Sequence, residues 1–264
     1  VHHHGYDCCA ITGGTHLPLP VLALCAVLAI AVIGYAVVAT QLGDRWPARR
    51  IGWFALGAAS VASSCLIMAD GSQPLLGHVA SMVVAPVFLV LARPLRMVLR
   101  GCAADDRRRV ARLAIRLRRM HLHNRPTWVA AEYVLSMAFM VSPAMMLLGS
   151  SLVVHLAMML YMVACGIGFF RTVLGVPIWG TVHPRAVRAR IAWAATAGMA
   201  LIGWVLTMWP AAAGVTTAQA VTFTVATVGV TGAAALSVRD GSAAHVSVRI
   251  APHDVTSRGM EGVG

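Results

Sequence analysis

The sequence predicts an all-α fold: a polytopic membrane helix bundle of seven transmembrane helices. Three observations carry that prediction. Of 264 residues, 59% are hydrophobic and 11% charged, less than half the charge of an ordinary soluble domain, in which about 25% of residues are charged. Seven apolar stretches approach the roughly 20 residues needed to cross a hydrocarbon core. Their apolar character is nearly all-round and lacks the alternation of a barrel strand, and in lipid only helices or closed barrels satisfy the backbone.

In chain order the spans read 17–40, 51–69, 75–98, 127–148, 152–170, 191–209 and 215–238. They form a membrane domain over 17–238, preceded by a tail (1–16) and followed by a polar, Gly- and Ser-containing flexible tail (239–264). The first span has no basic stretch before it and is too long for a secretory leader, so it reads as a span and not a cleaved signal. All 21 basic residues are arginines, giving a net charge of +12. They fall in alternate loops: Arg45, Arg49 and Arg50 after span one, the arginines from 93 to 125 after span three, Arg171, Arg185, Arg188 and Arg190 after span five, and Arg239, Arg249 and Arg258 after span seven. The loops near Asp70, Ser150 and Ala213 carry none. This asymmetry predicts an N-terminus outside and a C-terminus in the cytoplasm, in a multi-pass protein of the cell inner (plasma) membrane. Charge dispersed between spans, with no single basic soluble face, excludes a nucleic-acid binder.

Two segments outside the spans carry candidate chemistry. The tail offers His2, His3, His4, Cys8, Cys9 and His16 as an accessory metal set, since imidazole and thiolate suit soft or borderline ions. A disordered leader is the plainer alternative. The loop 101–126 places Val110, Leu113, Leu117 and Met120 at helical spacing behind Asp105 and Asp106, which predicts a basic amphipathic helix on the inner leaflet. Its Arg107, Arg108, Arg109, Arg112, Arg116, Arg118 and Arg119 are expected to meet membrane lipids or a partner subunit.

Ionisable groups inside spans are costly and so become functional candidates. His78 lies four residues after Pro74 and His155 four after Ser151, both near outer span ends. Met82 follows His78 by four residues, and Met158 and Met159 follow His155 by three and four, so each imidazole has a thioether on its own helical face. Met68, Met145, Met146 and Met208 are also placed toward the outer half. Imidazole with thioether suits Cu(I), whereas hard cations want carboxylates. Two alternatives stay open. His78 and His155 are also a possible axial pair for a non-covalent haem b, and methionine is a common gap-filler in helix bundles. The span cysteines Cys25, Cys65 and Cys165 read as small packing residues. Glu132 reads as facing the interface or pairing with an arginine of the loop, and Pro86, Pro94 and Pro143 as kinks. No nucleotide-binding, hydrolase or zinc-protease motif is present, so an enzyme is not predicted.

Several segments, in order, resemble one family. The stretch YAVVATQLGDRWPARRIGWFALGAA, with Gly43, Arg45, Trp46, Pro47, Arg50, Phe54 and Gly57, resembles the first cytoplasmic turn of the CtaG cytochrome c oxidase assembly family. LLGHVASMVVAPVFLVLARPLRMVLR looks like its third-span signature through His78, Ala85, Pro86 and Pro94, and VVHLAMMLYMVACGIGFFRTVLGVPI is similar to its later His-Gly-Phe stretch. The chain departs from the pattern at Met82, where the family has a second histidine, and at Val176-Pro177, where it has Asp-Pro. The resemblance implies a factor that handles or delivers copper for a haem-copper oxidase on the outer side of the membrane, with oxidase subunits as partners. A thioether at Met82 keeps a soft site for Cu(I). The competing expectation is a metal-free accessory subunit of a respiratory or other membrane complex.

Overall fold

A computed structural model describes residues 19–43, 46–70, 74–101, 105–106, 108–109, 112, 126–142, 152–176, 182–210 and 215–239, without the side chains of 68–70, 74, 152–153 and 155. Every element among them is helical: α1 (Leu19–Leu42), α2 (Arg49–Asp70), α3 (Pro74–Val79), a π-helical turn (Ala80–Val84), α4 (Ala85–Ala92), α5 (Pro94–Gly101), α6 (Pro126–Met140), α7 (Leu152–Leu174), α8 (Arg185–Met208) and α9 (Thr217–Arg239). Six stretches are long and apolar enough to cross a membrane, the third being the run α3 to α5. The chain is therefore a multi-pass helical membrane protein. The fourth predicted span corresponds to α6, with 15 described helical residues, and 143–148 lie outside the described residues.

The third span is the centre of the bundle. In its Leu75–Gly101 stretch 61% of the most apolar window is buried, against 11% for α1 at the periphery. Helices α2, α7 and α9 pack around it, α6 joins α7 and α8, and α8 lies along α9. One continuous core of valine, methionine and aromatic side chains results, with Tyr133 stacked on Phe169 at 4.2 Å between ring centroids.

The central span is not one regular helix, and its prolines explain why. Pro86 has no N–H to offer the carbonyl of Met82 four residues back, and just before it the Ala85 N–H reaches the carbonyl of Ala80, an i to i+5 bond. The widened turn leaves the Met82 carbonyl facing α7 at Gly166. A Cβ on Gly166 would overlap that oxygen and sit 2.5 Å from Cγ of Pro86, so this crossing requires glycine. Pro94 ends α4: Arg93 before it takes φ 54°, the single positive φ outside glycine among the described residues, and α5 restarts from the Arg93 carbonyl.

Polar side chains inside the bundle are mostly satisfied by their own helices. Thr227 and Thr231 donate to the carbonyls of Phe223 and Thr227 at 2.8 and 2.7 Å. Arg188 instead bonds a neighbouring helix. It is 7% exposed, and its Nη1 donates to the carbonyl of Val173 at 3.1 Å, placing a cation at the C-terminal end of α7.

Candidate functional site

The site is built where α2, α3 and α7 meet. Ser64 of α2 donates to the carbonyl of Gly77 at 2.7 Å, and Ser81 donates to the same carbonyl at 3.0 Å and to that of His78 at 3.1 Å. The Ser64 bond ties α2 to α3 next to His78, which is 7% exposed, while the Ser81 bonds stay within the central span. Cys65, the next residue of α2, brings its Sγ to 3.2 Å from Sδ of Met159 on α7, the thiol donating to the thioether. Met82 and Met159 are fully buried, and Cys25 of α1 packs against the same core.

Of the predicted ligands, Met82 and Met159 lie in one buried core with Met158 half-buried against it, and His78 is buried on α3, four residues before Met82. His155 belongs to α7, one turn before Met159, and its side chain lies outside the described residues. So do the side chain of Met68 and all of Met145 and Met146, whereas Met208 is exposed at the end of α8. Among the described residues no three His, Cys, Asp or Glu side chains converge, and the donors in contact are the Cys65 thiol and the Met159 thioether.

The sequence reads Cys65 as a packing residue. A depth count exposes it: five residues before Asp70, at about 1.5 Å per residue, it lies roughly 7 Å from the end of α2, and His78 lies roughly 6 Å from the start of α3. The shared depth was legible; the contact with Met159 was not.

Glu132, read from the sequence as facing the interface or pairing with a loop arginine, has partners on α7. It accepts from the Tyr161 hydroxyl at 3.1 Å and the Cys165 thiol at 3.6 Å, because α6 and α7 run side by side there. Cys165 is buried and also accepts from Ser136 at 3.7 Å.

The accessory tail residues His2, His3, His4, Cys8, Cys9 and His16 lie outside the described residues, as do Arg107, Arg116, Arg118 and Arg119. Arg108, Arg109 and Arg112 are exposed on helical backbone, and Arg108 lies 3.9 Å from Asp105.

Comparison with known proteins decides the family. The profile described as cytochrome c oxidase caa3 assembly factor (Caa3_CtaG) matches residues 32–237. The chain belongs to that family. The match takes in α2 to α8 entirely, the second half of α1 from residue 32 and most of α9, so both the CtaG turn around Trp46 and the His78–Met159 region fall inside it. No curated protein and no protein of solved structure matches the chain. As a CtaG family member it is a membrane protein of the oxidase assembly class.

Proposed function

We propose that this protein sits in the plasma membrane with its N-terminus outside and takes Cu(I) as cargo at the outer end of the bundle, for delivery to a haem-copper oxidase subunit. The observation that carries the reading is the 3.2 Å contact between Cys65 Sγ and Met159 Sδ, in the core that holds Met82, with His78 buried four residues before Met82. Two sulphurs already in contact suit one soft monovalent ion, and hard cations find no carboxylate among the fully buried groups of the described residues. Haem b fits less well, because adjoining sulphurs add nothing to a bis-imidazole iron.

Loading displaces the Cys65 proton, since the thiolate is the ligand form. Thioethers of Met159 and Met82 bind weakly and exchange readily, which lets the ion pass to a stronger imidazole site on the partner without a change of oxidation state. Holding and handing over an ion needs no acid or base on substrate, so the protein acts as an assembly factor and not an enzyme.

The test is anaerobic Cu(I) titration of purified protein against a competing chelator. Wild type is expected to hold one Cu(I), with affinity falling on the order of 100-fold in Cys65→Ser and in the double variant His78→Ala, Met159→Leu, the upper end of the loss when metal-site groups are changed. Equal stoichiometry and affinity in all three would end the copper reading. Unchanged oxidase copper content in cells carrying them, with oxidase still co-purifying, would leave the metal-free accessory role.

A further inference from the structure

The opposite end of the same helices gathers arginines. Arg49 and Arg50 open α2, Arg93 immediately precedes α5, and Arg96 and Arg100, four residues apart, share one face of α5. Arg50 lies within electrostatic reach of Arg93, Arg96 and Arg100, and Arg93 within reach of Arg96 and Arg49. The Arg50 guanidinium sits 4.4 Å from the centre of the Trp46 ring and that of Arg100 5.8 Å. Among the described residues no carboxylate forms an ion pair with Arg49, Arg50, Arg93 or Arg96; the ion pair found there joins Arg108 to Asp105.

The cluster is held by a rigid frame. The buried Trp46 donates from Nε1 to the Tyr35 hydroxyl at 3.0 Å, and that hydroxyl donates to the carbonyl of Ala92 at 2.7 Å, the last residue of α4. Tyr35 is stacked on Phe54 at 4.3 Å. The chain also accepts a left-handed backbone at Arg93, a conformation that a residue with a Cβ rarely holds without compensation, and restarts the helix from its carbonyl. Like charges held together by packing repel one another, so Arg49, Arg50, Arg93 and Arg96 call for an anion.

We propose that these arginines form a binding site for the phosphodiester headgroup of an anionic phospholipid, with cardiolipin the best fit because it presents two phosphates. Guanidinium forks match phosphate oxygens in pairs, and basic pockets between transmembrane helices bind such headgroups. The site lies at helix ends with exposed Val37 of α1 and Val98 of α5 nearby in sequence for acyl chains, which favours a lipid over free phosphate. It is distinct from the loop arginines 107–119, and it does not depend on the metal reading.

Delipidated protein is tested by native mass spectrometry and by thermal unfolding with added cardiolipin, phosphatidylcholine or inorganic phosphate. Wild type is expected to retain cardiolipin and to gain thermal stability with it alone. The variant Arg50→Gln, Arg93→Gln, Arg96→Gln is expected to bind on the order of 100-fold more weakly, at about fivefold per arginine, while unfolding no earlier than wild type without lipid. If that variant does not fold, Arg50→Gln, Arg96→Gln leaves the break at residue 93 untouched and is expected to lose roughly 30-fold. The loop variant Arg107→Gln, Arg108→Gln, Arg109→Gln is expected to keep cardiolipin. Unchanged binding in the first variants, loss in the loop variant instead, or an equal gain with inorganic phosphate or phosphatidylcholine would each overturn the proposal.

Discussion

The two ends of the α2 and α3–α5 pair solve opposite problems. At one end, Cys65, His78, Met82 and Met159 are buried groups whose polarity is modest, held by packing and by the Ser64 bond to the Gly77 carbonyl. At the other, Arg49, Arg50, Arg93, Arg96 and Arg100 carry full charges that repel, and an aromatic and hydrogen-bonded frame holds them. Soft donors can be stored inside a core because they cost little to desolvate. Guanidinium groups cannot, so they stay at helix ends where water and headgroups reach them.

Substitutions that break one end and spare the other test this division. The largest effect is expected between the two, at Gly166. Gly166→Val drives a side chain into the Met82 carbonyl and Pro86, and it should destabilise the bundle by about 3 kcal/mol, read as loss of folded protein in detergent and earlier thermal unfolding. Both Cu(I) and cardiolipin binding should fall with it.

Tyr35→Phe comes next. It leaves the buried Ala92 carbonyl and the Trp46 indole N–H without their shared hydroxyl, at a cost of about 2 kcal/mol. Unfolding should shift accordingly and cardiolipin binding weaken, while Cu(I) titration stays at the wild-type value; a parallel loss of copper would show that the ends are coupled. Ser64→Ala is the reciprocal change. It removes the bond to the Gly77 carbonyl and should cost about 1 kcal/mol, with Cu(I) affinity lowered and cardiolipin unchanged.

The smallest effect sharpens the ligand set. Met158 is half-buried, whereas its neighbour Met159 is fully buried and touches Cys65. Met158→Leu should therefore leave stability within about 0.5 kcal/mol and copper binding unchanged. Loss of copper in that variant would move the site around α7 by one residue.

How much was legible follows the kind of force involved. Span positions could be read because lipid imposes one requirement on every residue in the stretch, and α1, α2, α7, α8 and α9 lie where the apolar runs stand. The break at Pro94 was legible because proline acts on its own neighbours. The four-residue spacing of His78 and Met82 was legible along one helix. The contact of Cys65 was not, since its partner is on another span and 94 residues away. The same holds for Glu132, whose partners Tyr161 and Cys165 come from α7, and for Arg188, whose bond to the end of α7 joins two spans.

Composition and one-dimensional pattern determined by themselves that this chain is a helical membrane protein, and its ordered motifs pointed to the CtaG family that the profile match over residues 32–237 established. Only the tertiary structure decided which sulphur meets which, which glycine admits a carbonyl, and which arginines crowd around Trp46. The physical reason is range. Hydropathy and backbone preference act along the chain within a turn or a span, whereas side-chain contacts between helices depend on rotation and crossing, which each helix acquires only from its neighbours.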